Sequence, residues 1–348
     1  MIFCRRTPVL LLILALLATG CSPTAQPVSR TTTRLLMGTL VSITTWSLPT
    51  NASAWEEQER QGVDAAFREV ARIEGVMSSH RADSPLSRLN QAPRGIAHPL
   101  LPELADLLRR GLEVTNASGG AFDMGLDPLI LLWGFSREPP PQTVPDPQRI
   151  TAWLEHHAPG GLTLSGTVEQ PLLRLANASH GLDLGAIAKG YALDRAVAVL
   201  QEQGIHNAIV NAGGNLRTIG AKGDRPWRLG IRHPRQAEGV MAVVEVDRPL
   251  TMVTSGDYER FFIHQDQRYH HIFDPRTGYP ARSGLISVTV QAEDGTLADA
   301  LSTALFVLGA EQGLALLRRF PGSEALLMLE DRSLRRSAGF IGQPVAEP

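Results

Sequence analysis

The chain has 348 residues, and its 33 Lys and Arg against 35 Asp and Glu leave a formal net charge of -2, which offers no general attraction to nucleic acid. A hydrophobic share of 43% supports a globular core and excludes a disordered or fibrous chain. No fixed-period repeat and no long low-complexity tract interrupts it.

The start reads as an export signal. Arg5 and Arg6 precede the apolar run from Val9 to Leu17, which is too short for a lasting membrane span, and small residues follow up to Gly20. Cys21, directly after them, resembles the acylated cysteine of a bacterial lipobox. Residues 1–20 are therefore expected to be a lipoprotein signal peptide, 21–33 the acylated cysteine and a spacer rich in Ser, Thr and Pro, and 34–345 the folded domain. Plain secretion is the alternative. With Cys4 removed and Cys21 lipidated, neither of the two cysteines remains for catalysis or for a disulfide framework. The expected location is the bacterial cell envelope, lipid-anchored and facing the periplasm.

About 330 residues follow the signal, enough for one large domain or two intimate ones. The β-branched stretch from Arg34 to Thr45 predicts a strand, with Gly38 as a bulge or a close backbone approach. Val63, Ala66, Phe67, Val70, Ile73 and Val76 give one face of a helix, which ends in a polar loop from Met77 to Asn90 suited either to a ligand or to capping. A second helix spans about Pro102 to Val114. From Ser118 to Phe135, glycines, two aspartates and aromatics occur together, a mixture that suits a ring-shaped ligand as well as a core. A proline-rich loop (Pro139–Pro147), a short helix near Ile150–His156 and meander strands at Leu162–Leu164, Val168 and Leu172–Leu175 complete this half.

Between Gly181 and Gly190, Leu182 and Leu184 predict a short strand that breaks at Gly185 and feeds a helix with Leu193, Ala196, Val197 and Leu200 on one face and Gly204 at its C′ position. The free N–H groups of such a helix start can receive an anion. Lys189 opposes the dipole there unless something negative lies between; otherwise it is a solvated lysine at an ordinary turn. Asn207–Gly220 reads as a strand pair around Gly213 and Gly214, open to a cofactor or simply a bulged hairpin. Farther on, His271 lies three residues before Asp274 in a strand and turn, and can carry protons near neutral pH or merely satisfy the turn. The strand Ile286–Gln291 leads to a helix from Thr296 to Leu308. Asp299, Ser302 and Thr303 share one of its faces, a cluster of hard oxygens of the kind that holds Mg²⁺ together with substrate phosphates. Thr296 and Asp299 equally fit a capping box.

Met37-Gly-Thr39, Ala121-Phe-Asp123, Asp183 to Tyr191, Gly213-Gly214, Thr254-Ser-Gly-Asp257, His271 to Gly278 and Ala298 to Gly309 resemble, in unbroken order, the ApbE family of FAD:protein FMN transferases. The resemblance implies an α+β domain of antiparallel sheets flanked by helices. It also implies Mg²⁺-dependent transfer of FMN from FAD to a Thr or Ser hydroxyl of a partner flavoprotein, with release of AMP. The acceptors it implies are periplasmic-side flavoproteins, such as subunits of ion-translocating quinone or ferredoxin oxidoreductases. Position by position, Met37, Ala121, Phe122, Asp123, Asp183, Lys189 and Phe273 would line the FAD site, with His80 where several members carry a flavin-contacting aromatic. The Ala186 carbonyl, Asp299 and Thr303, with Ser302 adjacent, would hold the metal, and His271 would assist proton transfer. Hydrolysis of FAD to FMN and AMP, or FAD binding without chemistry, are the alternatives.

Overall fold

Two strands occupy the place where one is predicted. In the computed structural model, which describes residues 26–345 apart from 50, 138, 140, 141 and 237, β1 (Val28–Leu36) and β2 (Thr39–Ser47) pair antiparallel in unbroken register. Met37 and Gly38 form the turn between them at φ 52° and 68°. Positive φ at both central residues is the hairpin turn whose twist matches its strands. Gly38, read as a bulge or a close backbone approach, is thus part of a chain reversal, hidden in the sequence because both flanks are equally strand-like. Val28 to Thr33, assigned to the spacer, belong to β1, whereas the signal peptide and Cys21 lie outside the described residues.

Asn51 caps α1 (Ala52–Met77) by accepting from the Ala54 N–H at 3.1 Å, and Val63, Ala66, Phe67, Val70, Ile73 and Met77 of that helix are buried. Then come α2 (Pro85–Gln91), β3 (Ala97–Pro99), α3 (Pro102–Ala117), α4 (Asp127–Trp133), α5 (Pro147–Leu154), β4 (Leu162–Gly166) and β5 (Pro171–Leu175). Val168 sits exposed between β4 and β5 and is no strand residue. Leu182 and Leu184 are buried but irregular, and only Gly181 forms a bridge, with Leu126. The predicted strand there is a core-packed lead-in to α6 (Ala188–Glu202), whose C′ residue Gly204 has the expected positive φ of 76°.

The second half runs through β6 (Ala208–Ala212), β7 (Asn215–Ile219), β8 (Trp227–Arg232), β9 (Val240–Val246), β10 (Leu250–Gly256), β11 (Phe261–His264), β12 (Gln267–His270), β13 (Phe273–Asp274) and β14 (Tyr279–Pro280). It closes with β15 (Leu285–Ala292), α7 (Gly295–Leu308), α8 (Ala310–Leu317), β16 (Glu324–Leu329), β17 (Leu334–Arg336) and β18 (Gln343–Pro344). The main sheet has eight strands in the order β1-β2-β6-β7-β10-β15-β16-β17, with antiparallel pairing throughout. The fold is α+β, as predicted.

Helices α1, α6 and α7 cover one face of this sheet, α3 packs on α7, and together they form the large core with it. The small sheet β18-β9-β8 covers part of the other face through Trp227, Leu229, Met252 and Met328. Between these layers β15 is buried at every residue, which explains its nearly continuous apolar and small-polar sequence. A third cluster, around Trp133, Phe262 and Phe273, holds the two-stranded ribbons β11–β12 and β13–β14 against α4 and α5. No helix among the described residues is long and apolar enough to cross a membrane.

One contact sets the site. A Cβ on Gly190 of α6 would lie 2.0 Å from the carbonyl oxygen of Gly295 at the start of α7, so glycine alone permits this approach. Gly190→Ala is expected to push the helices apart and to destabilise the protein by about 1–3 kcal/mol. Thermal melting of the variant checks this, and a melting point equal to that of the parent would contradict it.

Candidate functional site

The approach of α6 to α7 brings a carboxylate to a helix start. In a continuing helix the Gly190 N–H would bond the carbonyl of Ala186; instead it donates to Asp299 Oδ2 at 2.8 Å. The Ala186 carbonyl is thereby relieved of that partner. Asp299 does not cap its own helix. Asp294 is the α7 N-cap and accepts from the Leu297 N–H at 2.9 Å, while Asp194 of α6 accepts from the Gly295 and Thr296 N–H groups at 2.9 and 3.0 Å. The capping-box alternative for Thr296 and Asp299 is therefore overturned, because the helix starts earlier than the spacing suggested.

Asp299 is 3% exposed, and its Oδ1 accepts from Asn215 Nδ2 at 3.4 Å. Burial raises its pKa, an increase that the Lys189 ammonium offsets only in part. On the next turn of α7, Ser302 Oγ donates to the Asp299 carbonyl at 2.8 Å and meets Ser255 Oγ at 2.8 Å, and Ser255 lies 3.4 Å from Thr303 Oγ1. Asp299, Ser302 and Thr303 thus come together as predicted, joined by Asn215 and Ser255. No group of three His, Cys, Asp or Glu side chains that could hold a metal occurs among the described residues. One carboxylate beside hydroxyl and carbonyl oxygens suits Mg²⁺, which completes its shell with water and substrate phosphates, and does not suit a soft metal. By donor type, the Asp299 carboxylate, the Thr303 hydroxyl and the Ala186 carbonyl suit such an ion.

Lys189, in the first turn of α6, bends back so that Nζ donates to the Gly185 carbonyl at 3.0 Å. Its charge acts on Asp299 and on His271. His271 keeps part of its surface accessible. Its Nδ1 lies 3.2 Å from the Arg260 carbonyl, which can only accept, so Nδ1 carries the proton and Nε2 presents a bare lone pair. Burial, then the charge of Arg260, pushes this imidazole down to about 3, so it is neutral at physiological pH. His270 differs. It is buried, Nε2 donates to the Ala281 carbonyl at 3.0 Å and Nδ1 accepts from the Ile272 N–H at 3.3 Å, leaving no free position.

The lead-in to α6 carries a second polar group. Asp183 accepts from Ser79 Oγ and from the Gly185 N–H, both at 2.9 Å, and Asn90 clamps the Leu182 backbone through bonds of 2.8 and 2.6 Å. Beside it Asp127 accepts no side-chain hydrogen bond among the described residues, and burial and the neighbouring Asp183 push its pKa up to about 6.

The remaining predicted ligand contacts divide. Met37 occupies the β1–β2 turn, half-buried, and His80 is exposed, with its N–H on Ser78 Oγ at 3.2 Å. Ala121 and Phe122 are buried in the large core, Phe273 packs against Trp133 and Phe135, and Asp123 is turned inward onto His157 Nε2 at 3.1 Å and the Gly125 N–H at 2.7 Å. The side chains of Ala121, Phe122 and Asp123 therefore serve packing, and backbone is what this segment offers a ligand. Asn215, Ser255 and His157 were missed as site or supporting residues. The first two stand in segments already noted, after Gly213-Gly214 and within Thr254–Asp257, but nothing in a strand's alternation marks which polar residue meets a distant helix.

Residues 37–327 match the ApbE family. The chain is 37% identical over 344 residues to the FAD:protein FMN transferase of Treponema pallidum, covering 92% of this chain and 90% of that protein. It is 33% identical over 308 residues to the FAD:protein FMN transferase of Vibrio cholerae, covering 86% and 87%. Among solved structures, the ApbE protein of Thermotoga maritima superposes with a TM-score of 0.78 at 34% identity, covering 89% of this chain and 97% of that one. The flavin transferase ApbE from Vibrio cholerae gives 0.75 at 29%, covering 90% and 97%.

Proposed function

The chain belongs to the ApbE family, and from that premise we propose that it transfers FMN from FAD to a Thr or Ser hydroxyl of a partner flavoprotein, releasing AMP and requiring Mg²⁺. The observation that carries this reading is the meeting of Asp299, Ser302, Thr303 and Lys189 at the start of α6, with the charge of Lys189 also reaching a neutral His271. Phosphoryl transfer needs positioning and charge neutralisation more than covalent participation by the enzyme. A bound Mg²⁺ would supply Lewis-acid neutralisation of the phosphate oxygens, held by Asp299, Thr303 and the Ala186 carbonyl. Lys189 and the helix start would orient the diphosphate, while His271 Nε2 accepts the proton of the incoming hydroxyl. Asp183 and the 121–123 backbone would line the FAD site, with Met37, His80 and Phe273 at its edges.

Incubation with FAD, Mg²⁺ and a periplasmic flavoprotein subunit tests the reading. AMP together with protein-bound fluorescent flavin is the expected result. AMP with only free FMN would make the enzyme a hydrolase, and intact FAD would make it a binding protein.

We also infer attachment to the cell envelope through Cys21, facing the periplasm. Cys21→Ser is expected to move the protein from the membrane to the soluble fraction with activity in vitro unchanged. Unaltered fractionation of the variant would remove the anchor from the account.

A further inference from the structure

The oxygens assigned to the cation come from two helices. The Ala186 carbonyl lies just before α6, while Asp299 and Thr303 belong to α7, so their separation depends on how one helix lies on the other. Two contacts of opposite sense fix that crossing. Helix α7 lends α6 a carboxylate, Asp299 on the Gly190 N–H at 2.8 Å. One turn farther along, α6 lends α7 another: Asp194 Oδ1 accepts from the Gly295 N–H at 2.9 Å, and Oδ2 accepts from the Thr296 N–H and from Thr296 Oγ1, both at 3.0 Å. The crossing is glycine on both sides, and a Cβ on Gly295 would lie 2.6 Å from Asp194 Oδ1. Asp194 is itself held in place. Arg217 of β7, with a side chain only 14% exposed, donates through Nη1 to Asp194 Oδ1 at 2.5 Å and to Thr251 Oγ1 at 3.0 Å, and also bonds the Glu293 carbonyl just before α7. Asn215, two residues earlier on the same face of β7, is the side chain that reaches Asp299. Neighbouring side chains of one strand thus steady both carboxylates.

We propose that Asp194 is a positioning residue for the divalent-cation site: it bonds none of the oxygens assigned to the cation, and it acts by holding the first turn of α7 so that Asp299 and Thr303 stand at the working distance from the Ala186 carbonyl. The proposal rests on the Mg²⁺-dependent reading above and deepens it by adding a residue on which the cation's affinity depends. Asp299 lies one turn into α7 from Gly295, and Thr303 one turn beyond that, so a shift or fraying at the helix start is passed to both ligands. The α7 start does not depend on Asp194 alone for capping, since Asp294 already takes the Leu297 N–H through its side chain and the Ala298 N–H through its carbonyl. What Asp194 adds is a tie to the helix that follows the third ligand. Groups that orient metal ligands without touching the metal are commonly worth about 10- to 100-fold in its affinity.

The test measures binding of Mn²⁺ alone to the full chain, from the loss of the free ion's paramagnetic resonance signal; Mn²⁺ takes the same oxygen donors as Mg²⁺. Asp194→Asn keeps the size of the side chain but turns an amide N–H₂ toward a backbone N–H. It is expected to weaken Mn²⁺ binding by about tenfold or more, to leave FAD affinity without divalent cation within about twofold, and to recover AMP release to within about threefold of the parent when Mg²⁺ is raised to saturation. Thr296→Val removes one of the four donors to Asp194 with little change of shape and should weaken Mn²⁺ binding by about threefold; it carries the test if Asp194→Asn fails to fold. Met328→Ala, buried in the second core cluster on the other face of the main sheet, is the control: it should lower the melting point and bind Mn²⁺ as the parent does. Parent-like Mn²⁺ affinity in both Asp194→Asn and Thr296→Val overturns the proposal. So does an equal loss in Met328→Ala, which would tie affinity to overall stability, and so does a loss of AMP release that excess Mg²⁺ does not restore. A parent protein that binds no Mn²⁺ would remove the metal reading itself, whereas a parent that binds it beside unaffected variants strikes only the role of Asp194.

Discussion

Asp299→Ala is expected to lower turnover by at least about a hundredfold and, in the same protein, to erase the rise in melting temperature that the proposed Mg²⁺ site is expected to give the parent. Among the described residues, Asp299 is the one carboxylate in the cluster with Ser302 and Thr303, and its ionised form is favoured by the Gly190 N–H, Asn215 and the field of Lys189. Without it the cation would face neutral oxygens and an opposing ammonium. The apo protein should change less, because the cost of leaving Gly190 and Asn215 unbonded, about 1–3 kcal/mol, is offset by no longer burying a charge. Thr303→Val should be milder, since water can stand in for one neutral ligand. If Asp299 were only a structural link between α6 and α7, the apo melting point would drop and the Mg²⁺-induced shift would survive in what remains folded. Differential scanning with and without Mg²⁺ separates the two without relying on activity.

How much of this was legible in the sequence depended on the range of the interaction. The helix from Ala188, its Gly204 stop and the shared face of Asp299, Ser302 and Thr303 are fixed by contacts within a few residues, and periodicity reads those directly. The β1–β2 turn was misread because Met37, a poor residue for positive φ, stands where Asn or Asp would have announced a hairpin. Asp299 stands between cap and ligand in the sequence because the start of α7 is taken by the N-cap Asp294 together with Asp194, the latter about a hundred residues away in the chain and invisible to local pattern. Likewise, Asp123 fits a ligand site by motif, yet its carboxylate is claimed by His157 from α5's trailing turn. Local pattern shows which residues carry chemistry; only the packing of one helix on another shows which oxygen is free.

His271→Ala is expected to bind FAD as the parent does, within about twofold, and to lose turnover by about 10²–10⁴-fold, the usual worth of a positioned general base. The Arg260 carbonyl fixes the tautomer with Nε2 bare, so the ring is set to accept a proton that appears only as the hydroxyl attacks. His270→Ala supplies the control. Its ring is bonded on both nitrogens and packed edge-on to Phe306, so its loss should cost stability and leave FAD affinity and turnover of the folded fraction in place. The pH behaviour follows from the same two rings. Folding lowers both imidazole pKa values, His270 to about 4 and His271 to about 3, so the unfolded chain takes up protons that the fold refuses. Stability from this source is complete above about 6.5 and erodes as pH falls from there toward about 4 and then 3. Over the same range turnover of the folded enzyme should show no acid limb near the ordinary imidazole pKa, because His271 is already deprotonated. An acid limb near 6.5 that vanishes in His271→Ala would mean that the ring is solvated in the working enzyme. Equal loss of FAD affinity in both histidine variants would remove His271 from the chemistry altogether and leave it a binding element.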